Sequence, residues 1–489
     1  MIAGEALVLA AFALPAVGSV AIALCGRCPQ LRETATLITA VLLLWCTLSL
    51  LPMVLAGGRP GVHLFELLPG LAIAFSVEPL GMLFALVASA LWIVNSLYSI
   101  GYMRGNREEH QTRFYVCFAL AIAAAIGIAF AANVFTLFVF YELLTLITYP
   151  LVTHHGTDKA KAGGRIYLGL LIGTSMLFLL PALVFTWHVA GTTDFTPGGI
   201  LQGRLSGFAL GGLLALYMFG IGKAALMPFH RWLPGAMVAP TPVSALLHAV
   251  AVVKAGVFSV LKVIIYVFGT ETLATEASTD WLVVVAGFTI VAASVVALKA
   301  DNLKRRLAYS TISQLSYVVL AAAILAPLSV IGAALHIVTH AVGKITLFFA
   351  AGAIYTAAHK TEVSQLDGIG RRMPWTMSAF TIGALSLIGI PPAAGFISKW
   401  FIMSGAAAGG HFAALAVLIV STLLNAAYFL PIVYAAFFRP LPAGDERHPH
   451  GEAPLSMVIA LMLTSTATLS LFLFSSPLLQ LAEQLVAPK

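Results

Sequence analysis

Residues 220–258 read GIGKAALMPFHRWLPGAMVAPTPVSALLHAVAVVKAGVF. The stretch is dominated by apolar and small residues, yet Lys223 and Lys254 stand inside its runs, and Pro228 follows Lys223 by five positions. A charge at the centre of a bilayer costs at least ~2.5–3.5 kcal/mol on insertion scales, so such lysines must face protein or water, or snorkel to the interface. Pro228 removes a backbone donor and breaks the helical ladder, and Gly220 and Gly222 loosen it from the other side. Broken helices at membrane depth line a hydrated cavity or present helix ends to ions. The segment therefore predicts an interrupted membrane helix with a lysine at the break. Withdrawing water from an ammonium group favours its neutral amine, so a lysine placed there can release and regain a proton.

The rest of the 489 residues carries the same message. Sixty per cent are hydrophobic and 9% charged, with a mean hydropathy of +0.98, against roughly 25% charged in a soluble domain. Apolar stretches of spanning length lie at 5–25, 35–56, 79–102, 113–131, 133–152, 165–189, 208–227, 243–268, 281–298, 307–326, 328–356, 374–403, 411–437 and 454–481. That predicts an all-α polytopic membrane protein of about fourteen helices. The shortest turns fall at Ala131–Val134 and Ala326–Pro327. The first stretch has no basic residues before it and reads as a retained span. Gly57–Pro79 mixes turn signals with apolar residues and predicts a hairpin on the outer face. Cys25 and Cys28 form a lone CxxC without a second ligand pair, so they read as ordinary thiols.

The formal charge of +7 is not a nucleic-acid signature. With the N-terminus outside, the loops after odd-numbered spans hold eighteen basic residues, from Arg27 to Arg447, and the opposite side holds Arg59, Arg204 and Lys489. This is the positive-inside pattern, and it orients the chain with its N-terminus on the outer face of a bacterial inner membrane.

Five lysines remain within spans, Lys223, Lys254, Lys262, Lys344 and Lys399, with Glu142 as the one deep acid. His248 precedes Lys254 by six residues, about 100° around a helix, and reads either as a satisfied polar residue or as part of a relay. His336, His340 and Lys344 recur every four residues and form a stripe on one helix face, about 6 Å apart in rise. Histidine suits proton relay because its titration lies near neutrality. A metal site would need a completing acid or thiol nearby, and none is in sight. Around Lys399 the chain reads SLIGIPPAAGFISKWFIM, a second span interrupted by Gly and Pro with a lysine beside the break. Interrupted spans in corresponding positions mark an internal repeat and its site. The positions divide the chain into 1–112 (three spans with the outer hairpin), a first five-helix repeat over 113–268, a second and inverted one over 281–437, and 438–489.

At these residues the chain resembles the antiporter-like membrane subunits shared by Mrp-type cation/proton antiporters, respiratory complex I and membrane-bound hydrogenases. The carriers are FVFYELLTLITYPLV around Glu142, the stretch from Gly220 to Phe258, HIVTHAVGKITLFFAAG from His336 and IPPAAGFISKW from Ile390. The resemblance implies fourteen helices with two inverted five-helix bundles. It implies Glu142 and Lys223 as an inlet switch, Lys254, His336, His340 and Lys344 as central relay, and Lys399 as the terminal group, with His248 linking the breaks to the lysine line. The IPPAAGFISKW form resembles the D-type Mrp subunit or its hydrogenase relatives, with the D-type favoured. That implies a proton-translocating part of a multisubunit Na⁺/H⁺ antiporter, working with other membrane subunits, protons and Na⁺. The alternative is a proton-pumping subunit of complex I (NADH-quinone oxidoreductase) or of a membrane-bound hydrogenase. No cofactor or metal is implied, because the chain carries no cluster-binding cysteine set and no dinucleotide fingerprint.

Overall fold

In the computed structural model, which describes residues 2–441 and 451–486, helices account for nearly all regular structure. α1 (Ile2–Leu24), α2 (Pro29–Leu55), α3 (Pro79–Gly105), α4 (Gln111–Ala129) and α5 (Val134–Val152) come first. α6 (Asp158–Thr174) passes through a π-helical turn at Ser175–Leu179 into α7 (Leu180–Ala190). α8 (Gly207–Gly220) runs to the first break, which the short α9 (Trp232–Gly235) follows. α10 (Thr241–Ala245) and α11 (Val252–Val263) form one span with π-helical turns at Leu246–Val250 and Ile264–Phe268. After α12 (Thr270–Ala274) come α13 (Trp281–Lys299), α14 (Leu303–Ala323) and α15 (Pro327–Ala358). α16 (Pro374–Ile388) and α17 (Gly395–Ala408) are the halves of the second interrupted span, and α18 (Phe412–Phe438), α19 (Leu455–Leu473) and α20 (Ser476–Glu483) finish the chain.

Eleven of the described helical segments are long and apolar enough to cross a membrane. The other three predicted spans are the two interrupted ones and α14. The interruptions leave apolar pieces too short to qualify, Gly207–Gly220 and Pro374–Ile388. α14 is long enough, but Ser310, Thr311, Ser313, Gln314 and Ser316 give it a polar face, and all five are buried. Both of the short predicted turns exist: Asn133 caps α5 by accepting from the Thr136 amide at 2.7 Å, and Pro327 opens α15. Arg447 and Lys489 of the charge count lie outside the described residues.

The Gly57–Pro79 segment forms an antiparallel hairpin, β1 (Gly61–Leu68) and β2 (Leu71–Ser76). It sits over the α4–α5 junction, where the Ser76 amide donates to the Phe130 carbonyl at 2.7 Å and Asn133 Nδ2 to the Ala72 carbonyl at 2.9 Å.

The position of the charged helices follows from burial. The most apolar windows of Thr241–Phe268 and Pro327–Ala358 are completely buried, whereas those of the other long spans are 33–72% buried. A helix wrapped on all sides by other helices meets no lipid, so its ionisable residues avoid the membrane penalty. These two spans hold Lys254, His248 and Lys262, and His336, His340 and Lys344, and they pack against each other.

Candidate proton-transfer site

Lys223 lies in a short turn, Gly222–Ala224, that terminates α8. Its ammonium Nζ donates to the Tyr141 carbonyl at 2.8 Å and to Thr145 Oγ1 at 2.5 Å, and rests 3.1 Å from the Tyr141 ring centre. Its backbone amide donates to the Tyr141 hydroxyl at 3.0 Å. α11 comes close enough to support this turn because residue 256 is glycine: a Cβ there would stand 2.3 Å from the Lys223 carbonyl carbon.

Glu142 follows Tyr141 on α5, yet no contact of 4.0 Å or less joins it to Lys223. Glu142 and Lys223, the inlet switch that the resemblance implies, are therefore not in ion-pair contact in this structure. Both carboxylate oxygens are buried without a hydrogen-bond partner among the described residues, while Leu143 and Leu146 beside it are 40% and 54% exposed. Lys223 is satisfied by Tyr141 and Thr145, which explains why it needs no carboxylate in contact.

The central group is more tightly joined. Lys254 Nζ lies 2.6 Å from His340 Nδ1. The His340 and His336 rings follow one turn apart with centres at 5.8 Å, and His336 Nδ1 lies 2.9 Å from Ser398 Oγ, adjacent in sequence to Lys399. The Nε2 atoms of both histidines are buried and unpartnered among the described residues. Lys399 Nζ donates to the Leu387 and Ile388 carbonyls at 2.7 and 3.0 Å. It thereby caps the C-terminal end of α16, where the helix dipole favours a cation. Gly389, at φ +92°, ends that helix, and a Cβ there would stand 2.7 Å from Lys399 Cδ.

Lys344 leaves the expected stripe. Its Nζ turns to α14, donating to Ser310 Oγ at 2.9 Å and the Leu307 carbonyl at 3.2 Å. Tyr428 OH bonds the same Ser310 Oγ at 3.1 Å and also Asn425 Oδ1. Asn425 Nδ2 points at the Leu387 carbonyl that Lys399 uses, at 3.5 Å. Sequence reasoning does not single out Ser310, Asn425 and Tyr428. Their only signal is a run of hydroxyl and amide residues inside apolar spans. His248 sits in the π-helical turn with both ring nitrogens unpartnered among the described residues and its ring 4.8 Å from that of Phe348. No hydrogen bond joins it to Lys254.

Lys262 proves to be paired. Its Nζ lies 3.2 Å from Glu78 Oε1 and donates to the Ala131 carbonyl at 2.8 Å. Glu78 also caps α3 through the Leu80 and Gly81 amides and accepts from Tyr266 OH at 2.8 Å. Glu142 is therefore not the only buried acid near the lysines. Glu78 escapes a reading of the sequence because it lies at the edge of a span.

On the side of the basic loops, a cavity of about 1220 Å³ opens between α6, α9 and the start of α14. Glu108 on its wall lies 3.2 Å from His155 Nε2. That contact raises the His155 titration, whereas burial lowers that of the neighbouring His154 to about 4.

Residues 131–425 match the family model described as NADH:quinone oxidoreductase/Mrp antiporter, TM. NADH-quinone oxidoreductase subunit N of Desulforudis audaxviator is 32% identical over 440 residues, 86% of each chain. A probable K(+)/H(+) antiporter protein of Rhizobium meliloti is 30% identical over 84% of this chain, which spans only 42% of that protein. The fold matches a chain of the Mrp complex from Dietzia sp. with TM-score 0.87 at 23% identity, covering 100% of this chain and 97% of that one. It also matches the archaeal membrane-bound sulfane sulfur reductase with TM-score 0.84 at 23% identity, covering 98% of this chain and 97% of that one. Taken with the helix order and the buried lysine–histidine line, these likenesses identify the chain as a multi-pass member of the NADH:quinone oxidoreductase/Mrp antiporter membrane family.

Proposed function

We propose that the chain moves protons across a bacterial inner membrane as the D-type subunit of a multisubunit Mrp cation/proton antiporter, with its N-terminus on the outer face. The observation that carries this is the junction of the two fully enclosed helices: Lys254 on one and His340 on the other are 2.6 Å apart. Two unit charges at that distance would repel by about 6 kcal/mol at an effective dielectric constant of 20. The pair therefore holds one extra proton between two bases, the condition for passing it on.

In this mechanism Lys223 holds a proton at Nζ against Tyr141 and Thr145. Glu142 tunes it electrostatically from α5, beside the exposed Leu143 and Leu146, against which a neighbouring membrane protein can pack. A proton passes by way of His248 to Lys254, then to His340 and His336, and leaves by Ser398 and Lys399. The unpartnered Nε2 atoms of the histidines are suited to water, which the chain needs because ring centres at 5.8 Å are beyond direct transfer. Lys344, through Ser310, forms a second branch toward Lys399. Residues 113–268 and 281–437 form the two inverted repeats in this reading, supported by interrupted spans five places apart. Na⁺ efflux would be coupled to proton influx at the level of the complex.

A second reading, an N-type subunit of NADH-quinone oxidoreductase, is favoured by the 32% identity over 86% of both chains. Inverted vesicles containing the intact complex separate the two. Collapse of an imposed pH gradient on adding Na⁺, without NADH, is expected of the antiporter. A proton gradient formed only on NADH oxidation, with no response to Na⁺, would overturn it.

A further inference from the structure

The cavity on the basic side has a composition that the proton line does not use. Lys159, Arg165, Arg231, Lys304 and Arg305 line it, with Lys360 at its rim, and Glu108 is the one acid among the lining residues. Glu108 is already committed to His155, at 3.2 Å. Lys304 Nζ is held by the Ala239 carbonyl at 2.6 Å. Lys159, Arg165 and Arg231 are exposed and form no ion pair among the described residues. Three guanidinium or ammonium groups left without a counter-charge around one hollow need an anion from outside the chain.

The wall next to these cations is apolar and open. Ile166, 48% exposed, and Gly169 and Leu170 line the cavity from α6. Gly169 and Gly173, four residues apart and so on one helix face, have nothing within 4 Å of where a Cβ would stand. A shallow track thus leads from the cationic end of α6 along its length, and further on Leu177 is 69% exposed. The volume of about 1220 Å³ exceeds the ~300–1,000 Å³ of ordinary small-ligand pockets. It suits a headgroup with its glycerol.

We propose that this cavity binds the phosphodiester headgroup of an anionic phospholipid, between Arg165 of α6 and Arg231 beside α9, with an acyl chain along the Ile166–Gly169–Gly173 track. Guanidinium groups match phosphate oxygens bidentately, and basic pockets between membrane helices are ready headgroup sites. Free phosphate shares the charge chemistry but leaves the apolar track empty, and an acidic segment of a neighbouring protein would have no use for it.

The test is native mass spectrometry of the intact complex and of the full chain, in mild detergent, with phosphatidylglycerol, phosphatidylcholine or inorganic phosphate added. Wild type should retain about one phosphatidylglycerol per chain in preference to phosphatidylcholine, and phosphate should not displace it. Arg165→Gln with Arg231→Gln should cut retention about thirtyfold, since each cation near the membrane surface is worth about a factor of five. Arg165→Lys with Arg231→Lys should keep most of it, which also guards against misfolding. Equal retention of both lipids, displacement by phosphate alone, or undiminished retention in the Gln variant overturns the proposal. Retention by the isolated chain but not by the complex also overturns it, in favour of a protein segment filling the cavity.

Discussion

Lys254 Nζ and His340 Nδ1 are 2.6 Å apart, bridging the only two long spans among the described residues that the bundle encloses on every side. The contact joins two bases with no carboxylate in contact, so a proton on one is readily offered to the other. It joins α11 to α15 across a sequence separation of 86 residues. Replacing Lys254 with Met, or His340 with Ala, should lower proton-coupled exchange about a hundredfold, the usual scale for losing a positioned proton-transfer group. The complex should still assemble. Exchange rates in inverted vesicles, beside protein levels by immunoblot, check this.

Glu142 and Lys223 lie near each other without touching, and Lys223 is anchored to Tyr141 and Thr145 instead. Glu142→Ala and Lys223→Ala should each abolish exchange while the protein inserts and assembles. Thr145→Val should weaken exchange more mildly, because the Tyr141 carbonyl still holds the amine. Normal exchange in a well-assembled Glu142 variant would remove the inlet role.

The Lys262–Glu78 pair behaves as a clamp. Glu78 is held by two amides, a phenol and an ammonium. Breaking one side of a buried pair costs about 3–5 kcal/mol, so Lys262→Ala should lower the melting temperature of the purified protein clearly and exchange only mildly. Lys262→Met with Glu78→Gln should recover part of the lost stability. A thermal-shift comparison of wild type, the single variant and the double variant would show it.

His154 and His155 should respond to pH with opposite signs. His155, raised above its ordinary 6.5 by Glu108, stabilises the fold below 6.5, and that contribution is lost as pH rises through its elevated value. His154, lowered to about 4 by burial, contributes stability that is present above 6.5 and lost as pH falls from 6.5 toward 4. Melting curves between pH 4 and 8 for His155→Gln and His154→Gln, each against wild type, should diverge from it at the acid end in opposite directions.

The tyrosine branch gives a further prediction. Tyr428→Phe removes the hydroxyl shared by Ser310 and Asn425 and should slow exchange several-fold while leaving Lys254 chemistry intact. Its loss should be smaller than that of Lys254→Met in the same vesicles, as expected for a positioning group acting through Lys344.

Much of this is legible in the sequence because the membrane simplifies it. Lys223, Lys254, Lys344 and Lys399 stand out against apolar runs, and Gly and Pro mark both broken spans. The irregularity in the middle span is not legible: Leu246–Val250 is π-helical with no Gly or Pro inside it, and only the backbone bond from the Ala251 amide to the Leu246 carbonyl, 2.9 Å, reveals it. The turning of Lys344 toward Ser310, away from His340, depends on a neighbouring helix that periodicity within α15 cannot report. Glu78 is hidden for a similar reason, since a capping carboxylate at a span edge looks like a loop residue until Lys262 reaches it from α11. The basic-side cavity shows in the sequence only as loop charge, and its apolar track depends on how α6 packs.

The most direct test of the central claim compares proton flux through the reconstituted complex in two variants of one span, Lys254→Met and Lys262→Met, at a fixed imposed pH gradient. A proton line through Lys254 and His340 predicts that the first loses flux with wild-type assembly and the second keeps most of it. Wild-type flux in the assembled Lys254→Met complex would contradict it.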